Sequence, residues 1–246
     1  MIAERNETVD FMKANVDRLI YSSVQIEGIA ATFAQTREIV EKGVSTGVSS
    51  KDTNKIVALK HAWQYLFRHF DESITWDLYS NYNALLGEGN VPNAGKMRGP
   101  GEVRVGDYIP PDNIDVGYFN RCVETASGTA FDDCEAACNL FLLLARAQFF
   151  RDGNKRSAQI LANHYLASHD SLAAFIVDES TRDEVLDILV DFYEGRLLLN
   201  DASWDLEELC VDRAEKMQIA ERRYGCASDF AVRISSGADT SNAKKL

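Results

Sequence analysis

Leu140-Phe141-Leu142-Leu143-Leu144-Ala145, then Phe150-Arg151-Asp152-Gly153-Asn154-Lys155-Arg156-Ser157-Ala158-Gln159, then Ile160-Leu161-Ala162-Asn163-His164-Tyr165-Leu166: these pieces, in chain order, decide the fold. The first is too apolar to be anything but a buried helix, and the third has the period of an amphipathic one. Between them a Gly-containing turn gathers Asp, Asn, Lys and Arg where one helix ends and the next begins. The first backbone N–H groups of that second helix have no intrahelical partners, and the helix dipole adds partial positive charge there. Such a terminus attracts anions, phosphate above all. Gly153 lets the backbone approach closely, Lys155 and Arg156 add full charges, and Asp152 could hold Mg²⁺ between phosphates. The same residues also read as a plain helix start, with Asp152 as N-cap and the basic side chains in water.

The chain has 246 residues, enough for one large domain or a domain with an appendage. Its hydrophobic content of 46% suits a soluble globular protein, and no stretch is apolar for long enough to span a bilayer. The start, Met1-Ile2-Ala3-Glu4-Arg5-Asn6-Glu7, lacks the apolar region of a secretion signal. Five cysteines without a Cys-x-x-Cys spacing give neither a disulfide framework nor a zinc signature, and Cys134 and Cys138, one turn apart, read as small buried side chains. Together these features point to a cytoplasmic protein. A net charge of −12 argues against a nucleic-acid binder, whose affinity rests on Lys and Arg facing phosphates. Against that acidic background Arg146, Arg151, Lys155 and Arg156 stand close together with Asp152 as the one acid among them. A local reversal of sign suits a small anionic ligand.

Most of the chain has helical period. Phe11, Val16, Leu19, Ile20, Val24 and Ile26 recur at helical spacing, as do Ile56, Leu59, Trp63, Leu66 and Phe67. Further helices are predicted over about 76–86, 113–124, 183–193 and 206–222. The exception is Met97-Arg98-Gly99-Pro100-Gly101-Glu102-Val103-Arg104-Val105-Gly106-Asp107-Tyr108-Ile109-Pro110-Pro111, where Gly-Pro-Gly marks a turn and Val103-Arg104-Val105 alternates. It reads as a short hairpin among helices. Positions 43–53, rich in Gly, Ser and Thr, read as a loop, and 235–246 as a flexible tail. No internal repeat is present. The expected fold class is all-α with one small β-hairpin.

These residues resemble the Fic (Fic/Doc, or Fido) family, whose signature reads His-x-Phe-x-Asp/Glu-Gly-Asn-Gly-Arg-x-x-Arg. Phe150, Asp152, Gly153, Asn154 and Arg156 fit it. Gly95, Arg98, Val103, Val105, Gly106, Pro110 and Pro111 resemble the family's flap, and Ser23-Val24-Gln25-Ile26-Glu27-Gly28 resembles its inhibitory motif, Ser/Thr-x-x-x-Glu-Gly/Asn. On this resemblance the chain divides into an N-terminal helical segment, 1–45, carrying Ser23, Glu27 and Gly28, and a Fic-like helical core, 46–200. That core holds the flap at about 96–111 and the active-site loop at 148–159. A helical extension, 201–234, precedes the tail.

The resemblance implies transfer of AMP from ATP, with Mg²⁺, to a hydroxyl of a target protein. Asp152 would hold the metal. Gly153 and Asn154 would line the anion hole, Lys155 and Arg156 would meet phosphates, and Val103, Arg104 and Val105 would dock an extended segment of the target by strand addition. A homo-oligomer is compatible with it, and a membrane partner is not expected.

Three positions depart from the pattern. Gln148 stands where the family has its general-base His, and an amide cannot accept a proton near neutral pH. His164 lies too far along the helix to replace it and reads as a packing or surface residue, as do His61, His69 and His169. Lys155 replaces the second signature Gly, which resembles the Doc branch that moves a γ-phosphate. Gln159 replaces the final Arg, a nucleotide-binding position that also pairs with the inhibitory Glu, so Glu27 loses its expected partner. The readings left open are an adenylyltransferase slowed or altered by Gln148, an inactive regulator that would bind a nucleotide or protein partner as the antitoxin-like half of a toxin–antitoxin pair, a Doc-like kinase, and removal of AMP from modified proteins with Glu27 aligning water.

Overall fold

The computed structural model describes residues 6–88 and 91–213. Described residues up to Val211 pack as one unit; the second, Asp212–Leu246, is described only at Asp212 and Arg213. The helices, in chain order, are α1 Glu7–Ala14, α2 Val16–Glu27, α3 Phe33–Lys42, α4 Ser50–His69, α5 Trp76–Gly87, α6 Val116–Gly128, α7 Asp133–Ala147, α8 Asn154–Ser168, α9 Arg182–Tyr193 and α10 Leu199–Cys210. Two short strands, β1 Ala173–Phe175 and β2 Val211–Arg213, complete the described elements.

Most of these helices begin where the sequence supplies a cap. Asn6, Ser49, Thr75, Asp115 and Asp132 each accept a backbone N–H of the following turn, and Thr32 and Gln35 form a reciprocal capping box. Capping explains two boundaries that periodicity misplaced. Ser49 starts α4 inside the expected 43–53 loop, and Asp115, accepting Tyr118 N–H at 2.6 Å, holds the start of α6 at Val116 and not Asn113. The apolar run from Phe11 to Ile26 is two helices because the Asn15 amide donates to Phe11 C=O at 2.9 Å and competes with the backbone ladder.

The expected helix over 206–222 is also corrected. α10 starts at Leu199 and ends at Cys210, whose carbonyl accepts Ile176 N–H at 2.7 Å, and 211–213 is extended. The remainder of the extension and the tail at 235–246 lie outside the described residues.

α7 and α8 lie at the centre of the core. Leu140, Phe141, Leu142 and Leu144 of α7 and Ile160, Leu161, Ala162 and Leu166 of α8 are all shut off from solvent. Burying such side chains stabilises by roughly 1.5–3 kcal/mol each. The turn that joins the two helices is therefore mounted on the most closely packed pair of helices among the described residues. Behind it lie the Phe149 and Phe150 rings, in an aromatic cluster with Trp76, Tyr79 and Phe119 of α5 and α6; Phe150 stacks on Trp76 at 5.4 Å and meets Tyr79 at 5.0 Å.

The hairpin is pared down to its turn. Val105 and Tyr108 exchange both backbone hydrogen bonds, at 3.1 and 3.0 Å, around Gly106-Asp107. Gly106 takes φ 59°, the left-handed value that the first central position of a Gly-led hairpin turn requires. Among the described residues no helix is long and apolar enough to cross a membrane.

Candidate functional site

Residues 148–154 form a loop closed around one side chain. Asn154 Oδ1 accepts Phe150 N–H at 2.8 Å, and its Nδ2 donates to Phe150 C=O at 2.7 Å and Gln148 Oε1 at 2.9 Å. Asn154 is buried, so these bonds are sheltered and its side chain is a staple of the loop. Gln148 caps the C-terminus of α7 at φ 51°, and its Nε2 donates to Ala145 C=O at 2.6 Å. Beside its amide lies the Tyr193 hydroxyl of α9, whose pKa burial pushes up. Neither group is a proton acceptor near neutral pH.

At the other end of the loop Gly153 stands at the start of α8 with φ 77° and no side chain capping the helix. A Cβ on Gly153 would sit 3.1 Å from Asn83 Nδ2, which explains a glycine there beyond its φ. The uncapped terminus opens onto a cavity of about 410 Å³ lined by Glu27, the hairpin residues Val103, Arg104 and Val105, the loop from Arg151 to Lys155, and Leu189 and Tyr193 of α9.

Three tethers hold the hairpin to this loop. Arg98, buried, donates to the backbone carbonyls of Gln148 (Nε, 2.5 Å), Pro111 (Nη2, 2.7 Å) and Ala147 (Nη2, 3.5 Å). Glu102 accepts from the Arg151 guanidinium and from Gly99 N–H; these bonds bring its carboxyl down to about 2, the Arg151 hydrogen bond contributing most. Asn83 of α5 donates to Asp152 C=O at 2.8 Å and accepts Gly95 N–H at 2.9 Å.

Helix α2 faces α8 through two polar rungs. Glu27 Oε1 lies 3.0 Å from Arg156 Nη2 and 3.4 Å from Lys55 Nζ of α4. One turn back, Ser23 Oγ donates to Gln159 Oε1 at 2.6 Å, and Gln159 Nε2 donates to Ser22 Oγ at 2.5 Å. The loss of an Arg at position 159 therefore does not leave Glu27 unpaired, as its sequence context suggested: Arg156 and Lys55 take it. Arg156 also pairs with Asp152 Oδ2 at 3.2 Å, and its buried Nε has no partner.

The structure thus brings Glu27, Val103, Arg104, Val105, Gln148, Asp152, Gly153, Asn154 and Lys155 together around one cavity, with Arg156 directly beneath. Ser23 and Gln159 lie off it, spent on the α2–α8 contact, and Gly28 ends α2 at φ 68° without lining it. Lys155 has its pKa lowered, first by burial and then by Arg156 and Arg182, with Glu27 acting in the opposite sense. His164 is a packing residue: Nδ1 meets the Tyr82 hydroxyl at 2.9 Å, Nε2 the Glu72 carbonyl at 2.8 Å, and burial lowers its pKa.

Sequence reading missed Asn83, Lys55 and Tyr193, each brought in from a separate helix. Asn83 alone carried a local signal, a polar residue on the apolar face of α5 beside Tyr82 and Leu86.

No protein-family model matches the chain. It is similar to protein adenylyltransferase Fic of Aedes aegypti, 28% identical over 185 residues, covering 72% of this chain and 37% of the relative. It is similar also to protein adenylyltransferase fic-1 of Caenorhabditis briggsae, 30% identical over 155 residues, covering 58% of this chain and 30% of the relative. The chain thus spans about a third of the length of these curated relatives. Among solved structures, a Fic domain-containing signalling protein from Bacteroides thetaiotaomicron superposes with a TM-score of 0.65 at 19% identity, covering 85% of this chain and 88% of the other.

Proposed function

We propose that the chain is a member of the Fic family, to whose adenylyltransferases it is similar, that it binds ATP in the cavity between the hairpin and α9, and that it transfers AMP to a hydroxyl of a protein docked along the hairpin. The observation that carries this reading is the uncapped α8 terminus. Gly153 and Lys155 line a cavity there, with Arg156 beneath it, and the side chain that α2 brings into that cavity is a carboxylate, Glu27. An anion belongs where that carboxylate sits. In such a transfer the target oxygen attacks the α-phosphorus, the bond to the β-phosphate oxygen breaks, pyrophosphate leaves, and the hydroxyl proton passes to solvent. Positioning and charge neutralisation do most of the work.

The donor set suits Mg²⁺, which takes one or two carboxylates and completes its shell with phosphate oxygens and water. Asp152, at the crest of the loop and 42% exposed, is the residue that would hold it. When bound, the ion neutralises phosphate charge. The chain's own residues supply the rest: Arg156 holds phosphates, Asn154 keeps the loop in shape, and the Val103–Val105 edge aligns the target.

Gln148 favours a second reading, a chain that binds nucleotide and transfers nothing, because its amide is tied to Ala145 and Asn154 and takes no proton. One assay separates the two. Purified protein with Mg²⁺ and α-labelled or γ-labelled ATP, in host-cell lysate, should label protein from the α-position and lose that label with Asp152→Ala. Nucleotide binding without label supports the second reading, γ-label alone means a kinase, and equal nucleotide binding by wild type and Arg156→Ala overturns both nucleotide readings.

A further inference from the structure

Two cations from different helices converge on one oxygen. Arg156 Nη2 of α8 is 3.0 Å and Lys55 Nζ of α4 is 3.4 Å from Glu27 Oε1. Their side chains are 2% and 18% exposed, and that of Glu27 15%. Charges this sheltered require partners, and a guanidinium with its buried Nε unpartnered is an acceptor short even with Glu27 and Asp152 in place. Lys155, on the next residue, adds a third cation whose charge burial disfavours. Gln159, one turn along α8, is neutral and engaged by Ser22 and Ser23, so it contributes nothing to this charge. The spot is therefore a cationic recess that the chain fills with a carboxylate of its own.

Glu27 closes the recess from the end of α2 and lines the cavity with Asp152, Gly153, Asn154 and Lys155. Its carboxylate stands in for an anionic oxygen of a ligand that enters by that cavity. We propose that Lys55 is a ligand of the terminal phosphates of a nucleoside triphosphate, supplying from α4 the second cation beside Arg156 once Glu27 has given way. This rests on the nucleotide-binding reading and adds to it a residue outside the loop. The chemistry is that of phosphate oxygens bridged by an ammonium and a guanidinium, which discriminates by the number of phosphates and not by the base.

The test measures equilibrium binding of ATP, ADP and AMP, each with Mg²⁺, to full-length Glu27→Ala and to the same chain also carrying Lys55→Ala, Lys55→Gln or Lys55→Arg. Thermal melting accompanies each variant, so that Lys55→Gln carries the test if Lys55→Ala does not fold. Removal of the ammonium is expected to weaken ATP by roughly 10- to 100-fold, the range of a hydrogen bond to a charged group, and to leave AMP within about twofold. Lys55→Arg should retain ATP. ATP and AMP weakened alike, or ATP unaffected, overturns the role of Lys55 alone. Failure of Glu27→Ala to bind any of the three overturns the nucleotide reading and this inference with it.

Discussion

Set against the Fic signature that the sequence resembles, the two ends of the loop between α7 and α8 depart in the same way, each with a neutral amide, and with opposite results. At the Gln148 end a neutral amide is absorbed into the structure: its donor is bound by Ala145 and its acceptor by Asn154, so the side chain at 148 takes no proton. At the Arg156 end a neutral amide at position 159 has also been absorbed, by Ser22 and Ser23, yet the charge has been kept by rewiring. Glu27 turns to Arg156 and Lys55. The difference lies in what each end must satisfy. A largely sheltered carboxylate such as Glu27 favours a cation within reach, because leaving it unpaired is costly. No such penalty enforces a base, so chemistry can be lost at one end while electrostatics survive at the other.

Gln148→His should break the contrast most forcefully. If the charged end is intact, a proton acceptor restored at 148 should raise α-label transfer about 10²–10⁴-fold, the usual contribution of general-base catalysis. Unchanged transfer, with nucleotide still bound, would mean that the cradle does not present the α-phosphate to this side of the loop.

Arg156→Ala tests the other end. Removing the guanidinium leaves Glu27 with Lys55 alone and should lower stability by about 3 kcal/mol in denaturant unfolding, with part recovered when Glu27→Ala is added. A midpoint equal to wild type would sink the idea that this pair is held by burial.

The smallest effect lies between the two ends, where Glu102 joins the hairpin to Arg151. Its carboxyl falls from the usual 4.5 to about 2 in the folded chain, so the tether's contribution is full above the unfolded value and is lost as pH falls through about 2. Both partners are accessible, which keeps the gain small. Amide exchange at Gly99 should therefore stay slow from neutral pH to below pH 4.5 in wild type and be fast in Glu102→Gln throughout. Equal rates in the two proteins at neutral pH would remove the tether from the account.

The sequence exposed what is local. The apolar runs on either side of the loop, the Asp152–Arg156 spacing and the Gly153 turn are written within one short stretch, and helical period makes them readable. Partners contributed by distant helices carry no such mark. Lys55 is an ordinary lysine on α4 until the fold brings it to Glu27, and the end of α10 depends on Ile176, far back in the chain. Gln159 was legible as a departure from the resembled signature, but not as a side chain that turns to α2 while Glu27 pairs with Arg156 and Lys55.

Arg98 gives the hairpin a property of its own. Because one guanidinium grips Pro111 at one root while its own backbone N–H donates to Phe149 C=O at 2.9 Å at the other, both roots are fixed before any partner arrives. Bringing the ends of a free segment of that length together costs about 2 kcal/mol of chain entropy. Here that ordering belongs to folding, so an extended segment docking there, as proposed, would meet a rail already anchored at both ends and would order only itself and the short stretch around Val105.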